Sequence, residues 1–548
     1  MRPRMKSAVT KLMVISICLI LMTMLAAPVY AYTPIYSEAD IADACEKGVE
    51  YLANAQNSNG SWDDGGSYNY RVANTGLALL KLETHATFMG KSPLDPSYAY
   101  SDNVQAGLNW LFANSHNVTI ALQTAGDPDT NGTGIGVGVY EGSSTYLSPY
   151  QTGIALMAIC ASNEPNEIVT VGPQIGQTYA HVAQEIVDWL AWAQNEGTYV
   201  GDPDRGGWRY YPNVSDSDNS VTGYCTIGLA YAEAPAPWGF GAHVTIPSFV
   251  FNELEPWVER IQIDSGGSTG GSSYSPSSSA TNNSGSGNAL RTGNLLSELA
   301  ILGIGTGTEN VTLNVTAAID YMELVWDSGY NPGWRLCYQA CFTMMKGFQA
   351  QGIENLDTGA GPESWYREMA DVIVGGQNAN GSFTAGNDYG EPIKSTAWAL
   401  LALERAAPPA LSLTPPFDIN PPGTEHTVTA TLRRAGEAVE NEEIQFEILS
   451  GPNDDEPIHS DNTNASGEAT FTYTGDGGPG TDIIKATAVQ SGLSSQATKI
   501  WEEGEIPVEV GGEVYPVNRL VVLAPWLALA AALIIGTAVV VRRRRAPS

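Results

Sequence analysis

Basic residues are scarce in this 548-residue chain: 26 lysines and arginines stand against 59 aspartates and glutamates, for a net charge of −33. The imbalance is sharper between the ends, because Arg2, Arg4, Lys6, Lys11 and Arg542 to Arg545 lie in terminal stretches without Asp or Glu. Such a surface repels phosphate, which argues against nucleic acid as a partner and against polyphosphate ligands. Cysteine is scarce too. Beyond residue 31 only Cys45, Cys160, Cys225, Cys337 and Cys341 remain, an odd, scattered set without a C-x2-C pair. That pattern speaks against a disulfide framework and for small buried side chains. Cys337 and Cys341 share a helix face, but no His or acid stands near them at metal-ligand spacing. With 43% hydrophobic and only 16% charged residues, the chain is globular, and its length allows two or three domains.

Residues 1–31 read as an export signal: a basic start, the apolar run Leu12 to Ala27, and Val29-Tyr30-Ala31 as a small-residue cleavage site. Next comes a unit that recurs six times. In its first copy Ile41, Ala44, Cys45, Gly48, Val49 and Leu52 make one apolar helix face. Gln56, Asn59-Gly60 and Trp62 form a turn closed by an aromatic, and Thr75-Gly76 opens a second helix, apolar on most sides. A helix with one apolar stripe belongs outside and one apolar all round belongs inside. The later units carry Trp110-Leu111, Trp189-Leu190 to Gln194, Trp257-Val258 to Gln262, Tyr321-Met322 to Trp326 and Val372-Ile373 to Gln377. Their second helices open at Thr152-Gly153, Thr222-Gly223, Thr292-Gly293, a divergent helix at Tyr338, and Thr396-Ala397. Hairpins of this kind bury both faces only by stacking, which suggests a closed double ring.

The residues Lys47-Gly48, Tyr51-Leu52, Gln56, Gly60 and Trp62 resemble, at full spacing, the QW motif of the terpenoid cyclase and protein prenyltransferase superfamily. Gln377, Gly381 and Phe383 repeat its core, and Gln194 with Gly207-Trp208 does so across an insertion. The resemblance implies an all-α (α/α)6 toroid over residues 37–405 with a central cavity, in which these Gln and Trp side chains are structural. The family's chemistries leave no signature. The acid motif Asp-x-Asp-Asp of squalene-hopene-type cyclases is approached only by Asp127-Pro-Asp129-Thr130 and Asp216-Ser-Asp218-Asn219, both departing at the last position. The Asp-x-Cys zinc pair of prenyltransferases is missing, since Arg335-Leu336 precede Cys337, and Ser395-Thr396 stand where a His is wanted. The thioester motif of complement-like toroids is absent as well.

Residues 406–416 read as a Pro-rich linker. From 417 to 500 the pattern switches to period two, as in His426 to Leu432, Glu443 to Ile448 and Ala469 to Tyr473, and reads as an all-β sandwich. Pro422 to Thr431 and Gly467 to Tyr473 resemble the invasin-type bacterial immunoglobulin-like domain. An acidic linker (501–519) leads to the uncharged run Leu520 to Val541, about 22 residues and roughly 33 Å as helix, enough to cross a bilayer. Arg542 to Arg545 follow as a stop in a cytoplasmic tail (542–548). The expected protein is thus multidomain, a single-pass type I cell-surface protein anchored by one C-terminal transmembrane helix.

Three features are candidates for function. Long loops crowd one rim of the ring, including the Ser/Gly-rich run Asp264 to Asn288, expected to be flexible. Beside the entries to the inner helices lie Tyr146, Tyr150, Tyr210, Tyr211, Tyr224, Trp334, Tyr338, Tyr389 and Trp398, aromatic candidates for lining a cavity that takes a small molecule, lipid or glycan. Asp127, Asp129 and Asn131 with Gly132 match the opening of a calcium loop, although Gly138 stands where the twelfth-position Glu belongs and Glu141 lies three residues on. The sequence therefore points to a ligand-binding ring without the family's known catalysis. The competing readings are an exported enzyme acting on surface glycan through two carboxylates, and a lipid cyclase with a substituted acid.

Overall fold

The computed structural model describes residues 34–502 apart from 66–69, 200, 278–282, 284, 306–311, 328–332, 359–361, 389, 405–409, 416, 435–436 and 490–493. The signal segment (1–31) and the expected membrane span, Leu520 to Val541, lie outside the described residues.

Twelve helices alternate along the described residues. Six have an exposed side or a covering loop: α1 (Glu38–Asn54), α3 (Ser101–Ala113), α5 (Tyr179–Ala193), α7 (Ser248–Ile261), α9 (Val315–Val325) and α11 (Trp365–Gly375). The other six are α2 (Arg71–Phe88), α4 (Ser148–Ala161), α6 (Asn219–Glu233), α8 (Ala289–Ile301), α10 (Tyr338–Ala350) and α12 (Pro392–Leu403), buried along nearly their whole length. Each of these inner helices packs on the next, and α12 packs back on α2, so the inner set closes into a ring.

The small residues at the inner-helix starts explain the closure. A Cβ on Gly76 would lie 2.7 Å from Ile154 of α4, one on Gly153 2.6 Å from the Tyr224 carbonyl of α6, and one on Gly293 2.6 Å from the Met344 nitrogen of α10. Only glycine lets the backbones approach so closely. The threonine near the start of five of these helices has a second task. The Thr75, Thr152, Thr222, Thr292 and Thr396 hydroxyls accept the backbone N–H of Trp62, Val139, Trp208, Ser272 and Phe383, at 2.9–3.2 Å. The hydroxyl thereby pins the preceding loop to the start of the helix.

The glutamines join neighbouring outer helices. Gln56 Nε2 donates to the Gly60 carbonyl of its own loop and to the Asn103 carbonyl in α3, both at 2.9 Å. Gln194 does the same with Gly206 and Val250 of α7, and Gln262 with Gly270 and Asn314 at the start of α9. Gln377 bonds Gly381 and Ala44 of α1, which closes the outer ring. Gly60, Gly206, Gly270 and Gly381 all have φ between 86° and 97°, and each sits against a carbonyl of the next outer helix. The Trp62 and Trp208 indoles donate to the last carbonyls of their helices, Leu52 and Leu190, at 2.7 and 2.9 Å.

Residues 410–502 build two sheets around a second core. One joins His459–Asn462, Glu443–Ser450, Gly480–Ala488, Ser494–Trp501 and Phe417–Asn420 in that order, and the other joins Glu468–Thr474, Glu425–Arg434 and Ala410–Thr414, with Glu437–Ala438 beside Glu425–Arg434. The strands are β5 (Ala410–Thr414), β6 (Phe417–Asn420), β7 (Glu425–Arg434), β8 (Glu437–Ala438), β9 (Glu443–Ser450), β10 (His459–Asn462), β11 (Glu468–Thr474), β12 (Gly480–Ala488) and β13 (Ser494–Trp501). Alternate residues point inward, such as Val428, Ala430 and Leu432, or Ile444, Phe446 and Ile448. Buried Asp482 organises one end: Tyr473 Oη, Trp501 Nε1 and Asn453 Nδ2 all donate to its Oδ2, at 2.6–2.9 Å.

The expected architecture needs correction on four points. No helix among the described residues is long and apolar enough to cross a membrane, so a C-terminal transmembrane helix is not part of the described fold. The helical region is not all-α. A ribbon of β1 (Ser115–Thr119) and β2 (Ile135–Val139) lies on α5, with Gly136 and Gly138 pressed against Trp189, and β3 (Asn355–Asp357) pairs with β4 (Pro362–Ser364). That ribbon is why α5, an outer helix, is buried on most sides. The stretch 410–414, expected as linker, is strand β5, with Leu411 and Leu413 buried; two alternating leucines outweigh the flanking prolines. Within the Ser/Gly-rich run, expected to be flexible, Gly270 and Ser272 supply the fourth unit's turn, and Asn283 donates to the Arg260 and Gln262 carbonyls.

Candidate functional site

The loops that enter the inner helices bring tyrosines together at one end of the ring. Tyr70 stands immediately before α2 and meets Tyr150 of α4 edge to face, with centroids 6.5 Å apart. Tyr150 meets Tyr224 of α6 the same way at 4.9 Å, and Tyr224 stacks with Phe342 of α10 at 6.2 Å. One chain of rings thus runs over four inner helices. A second group lies beside it: Tyr146 is 5.7 Å from Tyr210 and 5.6 Å from Tyr211, whose side chain is 46% exposed. Leu147 holds Tyr146 in place through a backbone φ of 65°, a region unusual for leucine, while its N–H donates to the Tyr210 carbonyl at 2.6 Å. Backbone strain of this kind gathers where side chains must be positioned.

Polar groups edge these rings. The Tyr210 and Tyr274 hydroxyls share a hydrogen bond of 2.9 Å, and the Arg209 guanidinium lies 4.2 Å over the Tyr210 ring. Arg209 is paired with Asp216 and Asp218, and Asp218 also caps α6 by accepting the Val221 N–H. Gln339 donates to the Tyr224 hydroxyl at 3.2 Å, and the Trp398 indole is buried next to it. The Lys394 ammonium lies 3.9 Å over Tyr70 and pairs with Glu391.

The carboxylates at this end are held by the fold. Asp64 accepts the Ile393 and Lys394 N–H groups at the start of α12; burial pushes its carboxyl up to about 6, and those two bonds with the Lys394 charge pull against the rise. Asp388 accepts the Tyr338 and Gln339 N–H groups at the start of α10 and the Ser395 hydroxyl, and burial raises it too. Asp63 and Glu141 both pair with Arg71. Each of these acids secures a helix start or an arginine.

Of the nine aromatic candidates, Tyr146, Tyr150, Tyr210, Tyr211 and Tyr224 come together here, with Trp398 beside Tyr224. Trp334 does not join them: its indole donates to the Trp326 carbonyl at 2.9 Å, so it is the fifth unit's counterpart of Trp62 and Trp208. Tyr338 packs edge to face on Phe383 at 5.5 Å. Tyr389 lies outside the described residues. Tyr70, Tyr274, Phe342 and Gln339 belong to the group without having been singled out in the sequence. Tyr70 had a readable signal, its place directly ahead of an inner helix, whereas Tyr274 is hidden in a low-complexity run.

The Asp127 loop is closed by its own backbone. Asp129 Oδ1 accepts the N–H groups of Gly132 and Thr133, and Oδ2 that of Gly134, at 2.7–3.2 Å. Asp127 accepts the Asp129 N–H, and Asn131 bonds Thr133 and Glu185. No group of three or more His, Cys, Asp or Glu among the described residues is arranged to hold a metal ion. Cys337 and Cys341 are buried free thiols, raised by burial, which donate to Asp388 and to the Trp334 carbonyl.

Comparison with known protein families, with curated proteins and with solved structures gives no match for this chain.

Proposed function

We propose that the ring is a binding module of the terpenoid cyclase and prenyltransferase type, exported by its leader, which takes a neutral glycan at the tyrosine-lined end. The observation that carries this reading is the set of partly exposed tyrosines Tyr70, Tyr150, Tyr146, Tyr210 and Tyr211, with Tyr150 seated on the buried Tyr224. Tyrosines offer flat faces for the C–H side of a sugar and hydroxyls for its polar edge, at low entropy cost. An aliphatic lipid asks for leucine- and phenylalanine-lined depth, and an anionic ligand meets an acidic chain. The immunoglobulin-like sandwich serves as a spacer in this proposal.

A glycan-cleaving enzyme is the second reading, favoured by Asp64, whose carboxyl is pushed up to about 6 as a general acid requires. Cleavage needs a second carboxylate with a free face, and Asp63, Asp218 and Asp388 are all engaged. The experiment is a panel of neutral, acidic and lipid-linked saccharides presented to the full chain, with product analysis alongside. Retention of neutral saccharides unchanged supports binding. Cleaved products, or retention of bare lipid alone, would displace it.

A further inference from the structure

One edge of the sandwich turns polar side chains toward its core. Strands β6 and β13 run parallel, with Asp418 opposite Lys499 and Asn420 opposite Trp501. Side chains alternate along a strand, so these four share one face, the face on which Trp501 enters the core. Ile419, between the two polar residues of β6, is 49% exposed. The strand is therefore polar inside and apolar outside. Lys499 is fully buried, which lysine almost never is without a partner. Its Nζ donates to Asp418 Oδ2 at 2.7 Å and lies 4.8 Å over the Trp501 ring. With its amide oxygen facing the same amine, Asn420 accepts from Nζ at 3.0 Å, while its Nδ2 donates to the Ile419 carbonyl at 2.6 Å. His426 of β7, in the other sheet, places Nδ1 3.2 Å from Asp418 Oδ2. An amine, a carboxamide and a carboxylate are thus held within hydrogen-bonding distance by three strands of two sheets.

We propose that Lys499 and Asn420 join in an intramolecular amide cross-link, with Asp418 moving the protons. The Lys499 bond holds the Asp418 carboxyl below its usual value, so the resting pair is charged. The reaction occurs once in each molecule, and fixed neighbours react at a high effective concentration, so a rare neutral pair is enough. Nζ passes a proton to Asp418, and its lone pair attacks Asn420 Cγ. The Cγ–Nδ2 bond then breaks as Nδ2 takes the Asp418 proton and leaves with the bonding pair as ammonia. Asp418, ionised again, takes a second proton from Nζ and gives it to the departing ammonia. The sum is lysine ammonium plus carboxamide giving a secondary amide plus ammonium, without change of charge or oxidation state. Asp418 and Asn420 are partly exposed, so the ammonium reaches solvent. The bond has a use in a spacer. β6 is an edge strand held to β13 alone in its sheet, and β13 is the last strand of the sandwich. Tension along the chain then falls on a covalent bond rather than on hydrogen bonds.

The test is peptide mass mapping of the purified full chain after denaturation and trypsin digestion. Trypsin cuts after a free lysine and not after an acylated one. The peptides carrying Asn420 and Lys499 are expected as one species, uncut at Lys499 and lighter than their sum by one ammonia. Asn420→Ala should release the two peptides separately, with cleavage restored at Lys499. Asp418→Ala, which keeps both reacting groups, should cut the linked fraction at least about tenfold in chain that still melts cooperatively. The proposal is independent of what the ring binds, and Tyr150→Ala should be linked as fully as wild type. Wild-type chain that melts cooperatively, yet yields intact Asn420 and cleavage at Lys499, would overturn it. So would a link from Lys499 to Asp418 with loss of water, or full linkage in Asp418→Ala.

Discussion

Gln377 Nε2 donates to the carbonyl of Ala44, 333 positions earlier, at 2.7 Å. That one bond joins the last outer helix to the first, and it repeats what Gln56, Gln194 and Gln262 do between neighbours. Replacing Gln377 with alanine leaves the Ala44 and Gly381 carbonyls without this donor and should cost about 1–3 kcal/mol. Denaturant unfolding of Gln377→Ala and Gln56→Ala should show losses of similar size. A loss at Gln56 alone would mean that the outer ring is not closed in solution.

Gly270 tests the same joint from the backbone side. Its φ is +89°, and a Cβ there would lie 1.8 Å from the Ala317 carbonyl. Gly270→Ala should therefore destabilise by more than about 1 kcal/mol, although it lies in a Ser/Gly-rich run. An unchanged melting temperature would return that run to the status of a linker.

Trp334 separates structure from binding. Trp334→Phe removes the donor to the Trp326 carbonyl and should cost about 1 kcal/mol, with saccharide binding unaffected once the variant is folded. Weakened binding at full stability would place Trp334 in the site after all.

The Asp127 loop is expected to hold itself. Asp129→Ala frees three backbone N–H groups and should lower the melting temperature equally with calcium and with chelator. A calcium-dependent gap in the wild type that disappears in the variant would make this loop a cation site.

Asp188 gives the pH dependence. It accepts bonds from Thr130 and Gln184, yet burial lifts its carboxyl to about 6. A folded-state value above the unfolded one means that the native state binds the proton more tightly. The stabilisation is then full below about pH 4 and is lost as pH rises through 6. Asp188→Asn should flatten that part of the stability profile, seen as a shrinking difference from wild type as pH falls from 7 to 4. A difference independent of pH would refute the shift.

Much of the ring was legible because its joints are short and local. Gln56, Gly60, Trp62 and Thr75 lie within twenty residues of one another, and every one of them makes the contact its type suggests. The fourth unit was harder to read, since Ser272 replaces the aromatic and only the Thr292 hydroxyl marks the position. Strand β5 was hidden by prolines around two leucines. The site was half legible: density of tyrosine singled out Tyr150 and Tyr224, but Phe342 acquires meaning only when α10 meets α6 through the Tyr224 ring. No periodicity in one helix reports that meeting.

The central claim is that the tyrosine-lined end of the ring binds a neutral glycan. Isothermal titration of a saccharide retained in the panel into wild type, Tyr150→Ala and Tyr211→Ala tests it most directly. Tyr211 is half exposed and Tyr150 partly buried, so folding of both variants is checked first by circular dichroism. The account predicts measurable binding to wild type, weakened about tenfold or more by either change, a loss of about 1.4 kcal/mol or more. Equal affinity in all three proteins would contradict it.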